Sequence, residues 1–131
     1  MLPSAMSRLA AVVLCAASLT AAQASPASAA GRVDKKISFS FLREMETSTW
    51  NQKRGSTSFT LTRCRSQQTF YAELRRSVFG PDIKLEGHTL KCVKGKRAFF
   101  TAPDPGTYYF YLNKLHDGEL VEGNATIGYP N

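Results

Sequence analysis

Thr107-Tyr108-Tyr109-Phe110-Tyr111-Leu112-Asn113-Lys114-Leu115 is dense in aromatic residues, and its apolar character alternates with a period of two. Tyr108, Phe110 and Leu112 fall on one side, Tyr109 and Tyr111 on the other. Nothing recurs at the three- to four-residue spacing of a helix, and aromatic side chains suit a pleated, half-buried surface. Residues 107–115 are therefore predicted to be a strand with one face in a core.

The same rhythm recurs outward in both directions. Residues 37–41 alternate as Ile-Ser-Phe-Ser-Phe; residues 57–64 carry Phe59 and Leu61 on one face, and residues 69–76 carry Phe70, Ala72 and Leu74. Further strands are predicted over 83–92, with a bend at Gly87, over 97–102 and over 120–129. Residues 43–57 lose the pattern and read as a long polar loop around Trp50, with room for a short edge strand. Gly80-Pro81-Asp82, Pro103-Asp104-Pro105-Gly106 and His116-Asp117-Gly118 supply turn chemistry. Residues 65–68 and 93–96 read as hairpin tips. About seven strands with turns every ten residues or so predict an all-β chain, a single small antiparallel β-sandwich.

Residues 1–30 open with Arg8 and no acid, continue through an Ala-rich apolar run, and end in small residues, which is the pattern of a cleaved secretory signal peptide. Cleavage is expected after Ala27-Ser28-Ala29 rather than Ala22-Gln23-Ala24, because Pro26 ends the apolar helix. Cys15 follows Leu14 instead of a small residue, so it is read as leaving with the signal rather than carrying lipid. Residues 31–131 then form one secreted domain with no transmembrane segment. Removal of Arg8 lowers the net charge from +7 to +6, still plainly basic. The mature part keeps Cys64 and Cys92, and an exported compartment permits their oxidation. That crosslink closes a loop worth about 3.5 kcal/mol in the chain-entropy model, a large share of a small domain's stability.

Phe99-Phe100-Thr101-Ala102-Pro103-Asp104-Pro105-Gly106-Thr107-Tyr108-Tyr109-Phe110 resembles the closing hairpin of the bacterial prepeptidase C-terminal β-sandwich domains and their Ig-like relatives. The resemblance implies a noncatalytic sandwich of the kind appended to secreted enzymes.

Neither His88 nor His116 sits in a nucleophile motif, and the aspartates are accounted for by turns, so no catalytic residue is assigned. Zinc wants several closely spaced Cys or His and calcium an Asp-rich loop; the sequence offers neither, so no metal or other cofactor is assigned. Arg63, Arg65, Lys91, Lys94, Lys96 and Arg97 all flank the two cysteines, and no acid interrupts either run. A Cys64–Cys92 bridge would gather them at one end, where charges within a Debye length of roughly 8–10 Å reinforce one another. The expected function is noncatalytic binding of an anionic extracellular polymer or of a protein through this basic end. Export argues against nucleic acid as the main target. An inhibitor or toxin-like effector presenting residues 93–96 to an enzyme or membrane is the alternative. A second candidate surface is aromatic: Trp50 in a polar loop, with Tyr71, Tyr109 and Tyr111 opposite the apolar faces of their strands, could stack on sugar rings or pack on a protein.

Overall fold

A computed structural model describes residues 31–115 and 117–131; the signal reading and His116 lie outside them. Nine strands are present: β1 (Arg32–Phe41), β2 (Glu44–Glu46), β3 (Trp50–Gln52), β4 (Gly55–Arg65), β5 (Thr69–Ser77), β6 (Ile83–Lys91), β7 (Arg97–Ala102), β8 (Gly106–Asn113) and β9 (Val121–Pro130). One sheet has the order β1-β9-β4-β7; the other runs β2-β8-β5-β6, with β3 also on β8. Every pairing is antiparallel. The two sheets form the expected sandwich, and Cys64 is bonded to Cys92.

The inward faces are the ones the alternation predicts. Phe59, Leu61, Phe70, Ala72, Leu74, Tyr108, Phe110 and Leu112 are all buried. Phe110 is the aromatic hub of the core, with ring centroids of Phe100, Phe59 and Trp50 at 4.9, 5.1 and 5.5 Å, each within the range of favourable tilted or edge contacts.

Two expectations are corrected. Residues 65–68 and 93–96 are not hairpin tips: β4 and β7 belong to one sheet, β5 and β6 to the other, so both segments cross the sandwich. Residues 103–105 likewise carry the chain from β7 to β8 in the opposite sheet, and the Tyr108 hydroxyl donates to the Asp104 carbonyl to fix that corner. Period two reports which side of a strand faces the core, but not which neighbour shares its hydrogen bonds, so hairpin and crossing look alike in sequence. Only residues 78–82 make a tight hairpin between sequential partners, β5 and β6.

The polar segment after residue 43 is the second correction. It forms an edge strand of β8 in two pieces, interrupted where Thr47 accepts the Phe110 N–H on its hydroxyl (3.0 Å) and donates its own N–H to the Phe110 carbonyl (2.9 Å). Trp50 is consequently in the core, 5% exposed and stacked on Tyr129 at 5.6 Å. Its indole N–H donates to Gln52 Oε1 (2.8 Å), which also accepts from the buried Thr57 hydroxyl (2.8 Å), so no indole donor is stranded.

Phe110→Ala should destabilise the domain by about 3–5 kcal/mol, since three rings lose their common neighbour. Ile83→Ala, at an exposed strand end, should stay within about 0.5 kcal/mol. Chemical denaturation of the two variants checks the contrast.

Candidate functional site

The disulfide joins the last turn of β4 to the residue after β6, with Cα atoms 5.3 Å apart, and so ties one sheet to the other. The following turn is bound to β4: the Gly95 N–H donates to the Leu61 carbonyl (2.7 Å) and the Leu61 N–H to the Lys96 carbonyl (2.8 Å). Gly95 adopts φ 93°, a left-handed conformation that a side chain would disfavour. Lys91, Lys96, Arg97 and the 57% exposed Phe99 line a groove of 470 Å³ where β6 and β7 run beside one another. Lys94 stands exposed on the turn. Arg97 Nε donates to the Thr60 hydroxyl (2.9 Å), and its guanidinium lies 5.9 Å from the Phe99 ring centroid. Among the described residues, none of these four cations forms an ion pair.

Arg63 and Arg65 lie elsewhere, on the outer face of the other half of the same sheet, beside β9. Arg63 Nε donates to Asn124 Oδ1 (2.7 Å), and Arg65 pairs with Glu122 (3.5 Å). The crosslink thus brings four of the six flanking cations to one corner and leaves two engaged with β9. The segment between β8 and β9 brings acids to the same end: Glu119 accepts from Ser66 (3.0 Å) and Gln68 (3.1 Å), and Asp117 accepts from Gln68. The acids lie over the β4–β5 crossing and the cations at the β6–β7 corner.

Sequence reasoning passed over Lys114, whose side chain is 1% exposed. Its ammonium donates to the carbonyls of Leu42 (3.2 Å), Leu115 (2.8 Å) and Glu119 (3.0 Å) and to Asp117 Oδ1 (2.8 Å). A buried ammonium is tolerated because it is surrounded by acceptors, one of them a carboxylate. Lys114 first, then the Glu119 N–H and the Gln68 amide, hold the Asp117 carboxyl well below the usual carboxylate range. A lysine at a strand end carries no sequence signal for such a role.

On the outer face of the β8-β5-β6 sheet, Tyr71, Glu73 and Arg75 of β5 lie opposite Asn113, Tyr111 and Tyr109 of β8. Arg75 Nε donates to Glu73 (2.7 Å), and its guanidinium stacks 3.9 Å from the Tyr111 ring centroid. The hydroxyls donate to carboxylates: Tyr109 to Asp82 (2.6 Å), Tyr111 to Glu44, Tyr71 to Glu73 (3.3 Å). Burial raises the Tyr109 phenol, with the Asp82 acceptor adding to it, whereas Glu44 is the main cause for Tyr111. Tyr109 is only 5% exposed, so of the four aromatics singled out in the sequence Trp50 and Tyr109 are buried, and Tyr71 and Tyr111 remain half-exposed. On β6, Glu86 accepts from His88 or its water-facing tautomer (2.6 Å) and from the Thr101 N–H (3.0 Å), covering part of the free edge of β7.

Two antiparallel sheets stapled by one disulfide, with no helix among the described residues, define a small disulfide-bonded β-sandwich. No described helix is long and apolar enough to cross a membrane. No family model and no curated protein matches the chain. Among solved structures it is similar to PliG from Aeromonas hydrophila, a periplasmic inhibitor of g-type lysozyme: 14% identity, a TM-score of 0.48, and coverage of 79% of this chain and 90% of that one. It is also similar to a chain from Bacillus endospore appendages, which form disulfide-linked pili: 16% identity, a TM-score of 0.41, and coverage of 76% and 88%.

Asp117 has a folded value below its unfolded one, so its contribution to stability is complete above the ordinary carboxylate range and is lost as pH falls through the folded value. Asp117→Asn should therefore be less stable than the parent near neutral pH, and the two should converge as pH drops below about 4. Urea midpoints measured from pH 7 to pH 2 check this.

Proposed function

We propose that the chain is an exported, noncatalytic binding protein whose β6–β7 corner engages an acidic surface, on a protein or on an extracellular polymer. The observation that carries this reading is the set of Lys91, Lys94, Lys96 and Arg97 held by a crosslinked turn with no ion pair among the described residues. Cations that are not neutralised internally project their field outward, and a pinned turn gives up little conformational entropy when a partner binds. Phe99 and the 43% exposed Val93 add apolar area beside the charge, which suits a protein partner better than a bare polyanion. Secretion follows from the disulfide, which persists in oxidising compartments, and from the signal pattern of residues 1–30. A noncatalytic accessory role is also what the residue 99–110 resemblance suggests.

Retention on immobilised polyglutamate should fall steeply with salt, and by at least about tenfold at low salt in the variant Lys94→Ala, Lys96→Ala, Arg97→Ala. Salt-independent retention, or a triple variant that binds like the parent, refutes the corner as the site.

A second reading is an inhibitor that presents residues 93–96 to an enzyme, favoured by the same pinned turn with Val93 exposed beside it. Inhibition of g-type lysozyme is what the Aeromonas protein's name describes for that protein. Incubation with a panel of lysozymes and other extracellular hydrolases should give one stable complex that Val93→Asp disrupts; no complex across the panel rules this reading out.

A further inference from the structure

The outer face of the β8-β5-β6 sheet carries a depression of 660 Å³ at the crosslinked end, within the size range of small-ligand sites. Its floor is one row of cross-strand partners: Asn113 on β8 opposite Tyr71 on β5, and Tyr71 opposite Thr89 on β6. Thr69 continues the floor, and Gln67 and Asp117 contribute to the walls.

Tyr71 lies flat across this floor. A Cβ built on Gly87 would stand 1.9 Å from the Tyr71 hydroxyl and 2.2 Å from the ring carbon that bears it, so the phenol occupies the space that a side chain at residue 87 would need. One face of the ring is against the sheet and the other is turned to solvent. Polar groups surround it: the hydroxyls of Thr69 and Thr89 and the Gln67 amide make no side-chain hydrogen bond among the described residues, and Asn113 adds a planar amide. The walls are fixed rather than loose, because Gln68 donates to Asp117 and Lys114 gathers the carbonyls of Leu42, Leu115 and Glu119. Lys114 is the one cation lining the depression, and its ammonium is spent on those oxygens and on Asp117.

A flat exposed ring flanked by hydroxyls, amides and one carboxylate, with no free cation, matches a neutral, polyhydroxylated ligand. A pyranose offers an apolar C–H face for the ring and equatorial hydroxyls for planar amides and a carboxylate acceptor. We infer that this depression is a binding site for a neutral saccharide, separate from the cationic corner and independent of what that corner binds.

The test is an NMR titration of the whole exported domain with cello-, malto- and chito-oligosaccharides. At least one series should shift the amide signals of residues 69–71, 89 and 113 saturably, with no loss of affinity at high salt. Tyr71→Ala should weaken binding roughly tenfold while Tyr71→Phe retains it, because the ring face and not the hydroxyl makes the contact. Gly87→Ala should lower affinity by displacing the ring, and Thr89→Val, which keeps the shape of the floor, should also lower it. The inference is overturned if no series gives saturable shifts, if both Tyr71→Ala and Thr89→Val bind as the parent does, or if the shifted signals belong to residues 93–99 and disappear with salt. The last outcome would support the charged corner instead, so the two readings fail separately.

Discussion

Cys64 and Cys92 are bonded across the sandwich, from the end of one sheet to the end of the other, and the placement of every polar group at that end depends on this bond. Chain crossings at 66–68 and 92–96 would otherwise be joined only by packing and by a few backbone hydrogen bonds. With the bond made, the turn carrying Lys94 and Lys96 is registered against Leu61, and the Cys92 N–H reaches the Gln68 carbonyl at 3.2 Å. A domain of about a hundred residues buries a modest fraction of its chain, so one crosslink between layers does what a larger core would do elsewhere.

That end is electrically divided. Glu119, Glu122 and Asp117 are matched by Ser66, Gln68, Arg65 and Lys114, so the acidic half is satisfied within the molecule. The corner built from Lys91, Lys94, Lys96 and Arg97 has no such internal counterpart among the described residues. Charge left uncompensated on a rigid element supports a role in binding more than its mere abundance does, since an overall positive charge also serves solubility.

Much of the fold was legible in the sequence, and for a definite reason. Alternation over 57–64, 69–76 and 107–115 marks the inward residues, because burial on one side of a pleated strand leaves a period of two whatever the strand's partners are. Partner choice leaves no such trace, which is why crossings read as hairpins. Trp50 was misplaced because its neighbours are polar; they are polar because β3 is an edge, with Asn51 turned outward while Trp50 and Gln52 point in. The cysteine pairing followed from there being two thiols in the mature part. The partition of the six cations did not, since it depends on whether a residue falls on the β9 side or the β6–β7 side of the molecule. Gly87 was legible as a special position, but its reason, the phenol of a residue on the adjoining strand, is a fact of three dimensions.

Lys114 sits in a ring of oxygens much as a bound inorganic ion would, except that the ion is tethered to the chain and cannot dissociate. Nearly all of its side chain is shielded from solvent, while the other lysines of the domain are open to reagents. Amine acylation under native conditions would spare it, and its slow modification would then report each transient parting of the two connections it clasps, a clock for the opening of one end of the sandwich written in ordinary lysine chemistry.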